Sequence, residues 1–106
     1  VLAVGTNSMA TAAMLRAGAD QAATGENSVV VASSRAEVIL GPIGIVIADS
    51  MMGEITPRMA VAIGQSHAKR ILIPVNLCDN IIVGVAESSM TRNVQNAMTA
   101  LEALIS

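Results

Sequence analysis

Apolar residues fall along this chain in short blocks, each closed by glycine, proline or small polar residues. Val1 to Val4 is an apolar run that stops at Gly5, the pattern of a buried strand. Asn7 or Ser8 then supplies a helix cap. The spacing predicts a helix from Met9 to Ala17, mostly Ala with Met9, Met14 and Leu15 to pack, stopped by Gly18. Ala22 to Asn27, holding Thr24-Gly25-Glu26-Asn27, reads as a loop. Ser28 to Arg35 is ambiguous by itself. Val29-Val30-Val31 favours a strand, whereas Asn27 or Ser28 can cap a helix. Glu37 to Leu40 looks like the next parallel strand, and parallel strands need a crossover, so context selects the helix.

Gly41-Pro42 breaks the chain again. Ile43, Val46, Ile47, Ser50 and Met51 share a helical face, with a strand from Ile45 to Ala48 as the alternative, and Gly53 closes the piece. Thr56-Pro57 starts a helix with Thr as cap and Pro at the first position. Its apolar face is Met59, Ala60 and Ile63, and it ends by Gly64. A third strand is expected from Ile71 to Val75, with Pro74 near its end. Asn76 to Asn80 turns the chain, and Ile81 to Val85 is expected to be a fourth strand. So short a link makes the last two strands antiparallel or parts of one bent edge. The last helix starts at Ser88 or Ser89 and shows Met90, Val94, Met98, Leu101 and Ile105 at helical spacing. The order predicts an α/β fold: one small layered domain over residues 1–106, a mostly parallel sheet of about four strands flanked by helices.

Composition narrows the function classes. Hydrophobic residues make up 53% of the chain and charged residues 13%, the reverse of a disordered composition. The longest apolar run, Val38 to Ala48, is broken by Gly41, Pro42 and Gly44, well short of the roughly 20 residues of a membrane span. The net charge is −2, the six Lys and Arg are scattered and aromatic residues are absent. A nucleic-acid footprint needs a basic stripe and usually stacking platforms, so that partner is excluded. So few charges on so apolar a chain lead us to expect a homo-oligomer, a dimer, with apolar surface covered by another subunit. Cys78 alone makes no internal disulfide, and Val1 to Ser8 is no signal peptide, so a cytoplasmic location is expected.

The strongest chemical signal is Gly5-Thr6-Asn7-Ser8, between the first strand and first helix. Ligands of open parallel sheets bind beyond the carboxyl ends of strands, where helix N-termini present free amides and a positive dipole end. These hydroxyl and amide groups suit a phosphate or a nucleotide ribose; ordinary N-capping explains them as well. Gly41 and Gly44 open on the same edge if the strands are parallel, and Asn76 follows a strand toward the same pocket. Glu26 could take a ribose hydroxyl or act as a base, or simply complement a helix dipole. Asp49, Ser50 and Glu54 are polar groups in an apolar stretch, suited to acid-base work if buried and to a solvated helix edge if not. Cys78 and His67 make a poor nucleophile pair because no acid accompanies them and His67 falls at the opposite end of the sheet. One His and one Cys form no metal-ligand set, and the seven Met read as core or interface filler. The reading is therefore a binder of a phosphorylated small molecule or nucleotide, held by Gly5, Thr6, Asn7, Ser8, Gly41, Gly44 and Asn76. Its alternative is a non-catalytic oligomeric module. Neither supplies a defensible catalytic set.

Three stretches carry a resemblance. They are Val4-Gly5-Thr6-Asn7-Ser8-Met9-Ala10-Thr11-Ala12-Ala13-Met14, then Gly41-Pro42-Ile43-Gly44-Ile45-Val46-Ile47-Ala48-Asp49-Ser50 through Gly53-Glu54-Ile55-Thr56-Pro57, and Ile71-Leu72-Ile73-Pro74-Val75-Asn76. Together they resemble a small Rossmann-like bacterial family, frequent in Firmicutes, known only as a domain of unknown function. Members of that family carry a further N-terminal strand and helix joined by a glycine-rich loop. The resemblance implies that this sequence starts where the second strand would, with Gly5 to Ser8 where a Rossmann protein meets the adenosine ribose or its 2′-phosphate. A nucleotide such as NAD(P) is the cofactor it implies. A shorter likeness, to methylglyoxal-synthase-like domains, would give Gly5-Thr6 and Gly25-Glu26-Asn27 a phosphate-binding part.

Overall fold

The computed structural model describes residues 1–75, 79–85 and 90–106. Strands β1 (Leu2–Gly5), β2 (Gln21–Thr24), β3 (Val38–Pro42) and β4 (Lys69–Ile73) alternate with helices α1 (Ser8–Arg16), α2 (Glu26–Arg35), α3 (Pro57–Gln65) and α4 (Met90–Ile105). A 3-10 turn, Ile43–Val46, follows β3. The α/β class is as the sequence predicts. The strands form two parallel pairs: β1 beside β2, with Leu2 opposite Gln21, and β3 beside β4, with Val38 opposite Lys69.

Alternation along β1 assigns the faces. A Cβ at Gly5 would point at Thr11 of α1, whereas the preceding Val4 packs on the cluster of Val29, Ile55, Met59, Ala60 and Ile63 from α2, α3 and the segment before α3. So α1 covers one face, and α2 with α3 the other. Ile39 of β3 reaches the same cluster as Val4, and no β2 residue belongs to it. The two pairs are separate ladders that share this cluster. Register places Leu40 on the side of Ile71, away from Ile39. Arg70, beside Ile71, turns to α3 and donates to the carbonyl of Ser66 at 2.7 Å. That leaves Ile71 and Ile73 for the opposite side, where α4 packs on β4.

Four local readings are corrected. Gln21–Thr24 is a strand, not loop, because its backbone completes a parallel ladder with β1 despite weak strand propensity in Gln-Ala-Ala-Thr. Helix α2 starts at Glu26, its N-cap Gly25 taking φ 103°. The helix expected through Met51 shrinks to the 3-10 turn, since Asp49, Met51 and Met52 take positive φ and fold the chain back until Asp49 N–H donates to the Ile55 carbonyl at 2.7 Å. Ile81 to Val85 is not a strand: Val83-Gly84 is a turn, Gly84 has φ 86°, and Ile81 and Val83 are exposed. The four strands are thus reached with β2 in place of that segment. Ser88, Ser89, Asn76 and Cys78 lie outside the described residues. No helix among the described residues is long and apolar enough to cross a membrane.

Helix α4 is also rotated from its apolar stripe. It packs through buried Ala97 with half-buried Asn93 and Leu101, so Met90, Val94, Met98 and Ile105 face outward. Truncating Met59 or Ile63 to Ala should lower the unfolding free energy in urea by about 2–5 kcal/mol. The same truncation of Val94 should change it by less than about 0.5 kcal/mol.

Candidate functional site

Three of the four helices start at one edge of the sheet, and each start is fixed by a polar contact. At α1 the N-cap is Asn7, whose Oδ1 accepts from Ala10 N–H at 2.8 Å. At α3 it is Thr56, whose hydroxyl oxygen accepts from Met59 N–H at 3.2 Å and whose proton goes to Glu26 Oε1 at 2.6 Å. At α2 the cap is Gly25, whose N–H donates to the Gly5 carbonyl at 3.0 Å. Glu26 Oε2 lies 3.8 Å from Arg58 Nη1, so this carboxylate ties the starts of α2 and α3 together. Its part is the structural one, not that of a free base.

The turn after β1 is drawn toward the segment after β3. Asn7 Nδ2 donates to Glu54 Oε1 at 3.2 Å, joining residues 47 apart in sequence. The tight backbone at Asp49, Met51 and Met52 lifts Glu54 to that position, and Ile55 anchors the segment at 2% exposure. Buried Ser50 donates to the Gly44 carbonyl, binding the 3-10 turn to the same segment. A carboxylate beside the first turn of α1 is favoured by the helix dipole.

The predicted site residues divide. Gly5 is at the edge, but its lack of a side chain has a packing cause: an added Cβ would meet Thr11 Oγ1 at 2.2 Å and Thr11 N at 2.8 Å. Thr6 is half-buried and Ser8 exposed, both in the same turn. Asn7 is the best-placed of the set. Gly41 is the residue before the end of β3, with Ile45 Cδ1 3.1 Å from where its Cβ would be, and Gly44 is buried in the 3-10 turn. Asn76 lies outside the described residues. Glu54 is exposed at the edge, whereas Asp49 and His67 are exposed elsewhere, His67 just before β4 at the opposite end. One member, Thr11, escaped the sequence reading. Thr11 Oγ1 is 2.8 Å from Thr24 Oγ1, a hydroxyl pair between α1 and the end of β2. The signal was available: Thr11 follows Asn7 by four positions and bonds its carbonyl at 3.0 Å. Among the described residues no group of three or more His, Cys, Asp or Glu could hold a metal ion.

Gly5→Ala should cost about 1–3 kcal/mol by overpacking against α1. Adding Thr11→Ala should restore part of that loss and not all of it, because the backbone N of residue 11 still crowds the new methyl. Chemical denaturation of the single and double variants reads both values.

No curated protein matches the chain, and no solved structure does. A family match covers residues 1–106 in full. The chain belongs to the family described as Domain of unknown function (DUF3842).

Proposed function

We propose that the chain binds a nucleotide, of the NAD(P) or adenosine phosphate class, across the edge where β1 and β3 end. The observation that carries this reading is the Asn7–Glu54 hydrogen bond, which sets an amide and a carboxylate side by side between the two turns. A carboxylate with a neighbouring amide accepts from and donates to the hydroxyls of a ribose. The phosphate end then falls to backbone N–H groups of the turns that carry Gly5, Thr6 and Gly41 to Gly44, with Ser8 at the first turn of α1. Asn76, which follows β4 in sequence, is a further reporter. The Rossmann-like character of the reading draws support from two parallel strand pairs whose strands alternate with helices. No catalytic role is assigned.

Glu54 gives the reading a specificity. Its charge disfavours a phosphate on the ribose 2′ position and favours a free hydroxyl there. In an amide NMR titration, NAD⁺ and AMP should shift Gly5, Thr6, Asn7, Gly41 and Gly44 saturably, and NADP⁺ should bind more weakly. Glu54→Gln should narrow the gap between NAD⁺ and NADP⁺ while the fold is unchanged. Shifts that inorganic phosphate alone reproduces, or none with any nucleotide, would sink the proposal.

The second reading, a homo-oligomeric module, draws on the outward Met and Val of α4. Light scattering that reports a monomer over a wide concentration range would remove it.

A further inference from the structure

Asp49, Met51 and Met52 take φ 63°, 56° and 57°, and among the described residues no other non-glycine residue has positive φ. Left-handed backbone is tolerated by Asp and costly for Met, whose Cβ crowds the following carbonyl. The turn is imposed by its surroundings. Ser50 and Ile55 are buried on either side of it. Asp49 N–H donates to the Ile55 carbonyl at 2.7 Å, Gly53 N–H to the Asp49 carbonyl at 3.1 Å, and Glu54 N–H to the Met51 carbonyl at 3.2 Å.

The two methionines differ in what they gain from this backbone. Met51 packs, partly buried, on the cluster of Ile55, Met59 and Ile63, so burial offsets its strain. Met52 is 102% exposed, and no packing offsets its own. Strain of this kind is characteristic of ligand clamps. Here it fixes a long apolar side chain fully in solvent.

The position of Met52 indicates what it meets. It is two residues before Glu54, so their Cα atoms are at most about 7 Å apart, and Glu54 accepts from Asn7 Nδ2 at 3.2 Å. A ribose held by that amide and carboxylate carries its base on the carbon next to the 2′ position. A base is a flat π-system that proteins ordinarily stack on aromatic side chains, and this chain has no Phe, Tyr or Trp. A Met thioether also favours an aromatic ring, its sulfur about 5 Å away. Met9, two residues past Asn7, is 82% exposed. It stands roughly 200° around α1 from Thr11, and Thr11 bonds the Ala23 carbonyl of β2 at 3.3 Å. Met9 therefore turns away from the sheet.

We propose that Met52 is the base-contacting residue of the nucleotide site, its thioether lying against the purine while Asn7 and Glu54 hold the ribose. This rests on the nucleotide reading and names the residue that meets its base. The left-handed backbone sets the direction of the Met52 Cα–Cβ bond before any ligand arrives, at a cost to the folded chain. Stability and base affinity are thus coupled in opposite directions at one position.

The test is methyl NMR of the chain labelled at its seven Met ε-methyls, titrated with AMP and with ribose 5-phosphate, which lacks the base. With Phe, Tyr and Trp absent and His67 at the opposite end of the sheet, an upfield ring-current shift reports the ligand's own base. AMP should move Met52 upfield saturably and leave Met14 and Met59 in place; ribose 5-phosphate should not move it. Met52→Asn, which suits left-handed backbone, should raise the urea midpoint. It should weaken AMP about tenfold and ribose 5-phosphate by less than about twofold. Met52→Leu should hold AMP affinity within about threefold. A lower urea midpoint for Met52→Asn would mark a structural role and overturn the inference. So would a ring-current shift at Met9 in place of Met52, or equal affinity of the unaltered chain for AMP and ribose 5-phosphate. In those cases saturable amide shifts at Gly5, Thr6 and Asn7 with AMP leave nucleotide binding standing; no amide shift with any nucleotide removes both.

Discussion

The packing of α2 against α3 is the contact on which the rest of the molecule hangs. Val29 of α2 meets Met59, Ala60 and Ile63 of α3, and Ile55 closes the cluster from below the Thr56 cap. Both strand pairs attach to it through single residues, Val4 from one and Ile39 from the other. Aliphatic side chains do this without any aromatic ring, so each methyl group carries a larger share of the buried area than it would in a mixed core. The polar tie of Thr56 to Glu26 sits on top of the cluster and fixes the two helix starts relative to each other. The edge where a ligand would lie is therefore positioned by α2 and α3, although the residues that face it come mainly from the turns after β1 and β3.

Helix starts were the most legible feature of the sequence. Asn7 and Thr56-Pro57 act through local chemistry, a side-chain oxygen three residues before a free N–H, and local chemistry is written in neighbouring letters. The crossover rule also resolved Val29-Val30-Val31 into helix, against its propensity, because topology outranks propensity where parallel strands must be joined. Residues 21–24 went unread for the converse reason. Nothing in Gln-Ala-Ala-Thr favours a strand except the partner that β1 offers, and that partner is nineteen residues away in sequence. Positive φ suits Asp49 but contradicts the residue type at Met51 and Met52, so the turn signal there was only partial.

Helix α4 shows a different limit. Its apolar stripe was correctly located in the sequence, but the stripe points outward and small Ala97 makes the close approach to the sheet. Ala at a helix–sheet contact allows short separation, and the bulky stripe beside it is left over. Among the described residues Leu15 of α1 and Leu40 of β3 are exposed as well. Sequence periodicity says that a face is apolar; only the arrangement of neighbours says whether anything covers it.

Glu54 alone repels a phosphate: like charges at 4 Å cost about 1 kcal/mol in bulk water and about 4 kcal/mol at the effective dielectric of a protein surface. Backbone N–H groups at a helix start are the groups best suited to offset that repulsion and to hold a phosphate apart from the carboxylate. The division of labour follows from charge. On the proposed reading Asn7 and Glu54 take the hydroxyl-bearing part of a nucleotide, and the anionic part goes to backbone N–H groups of the turns.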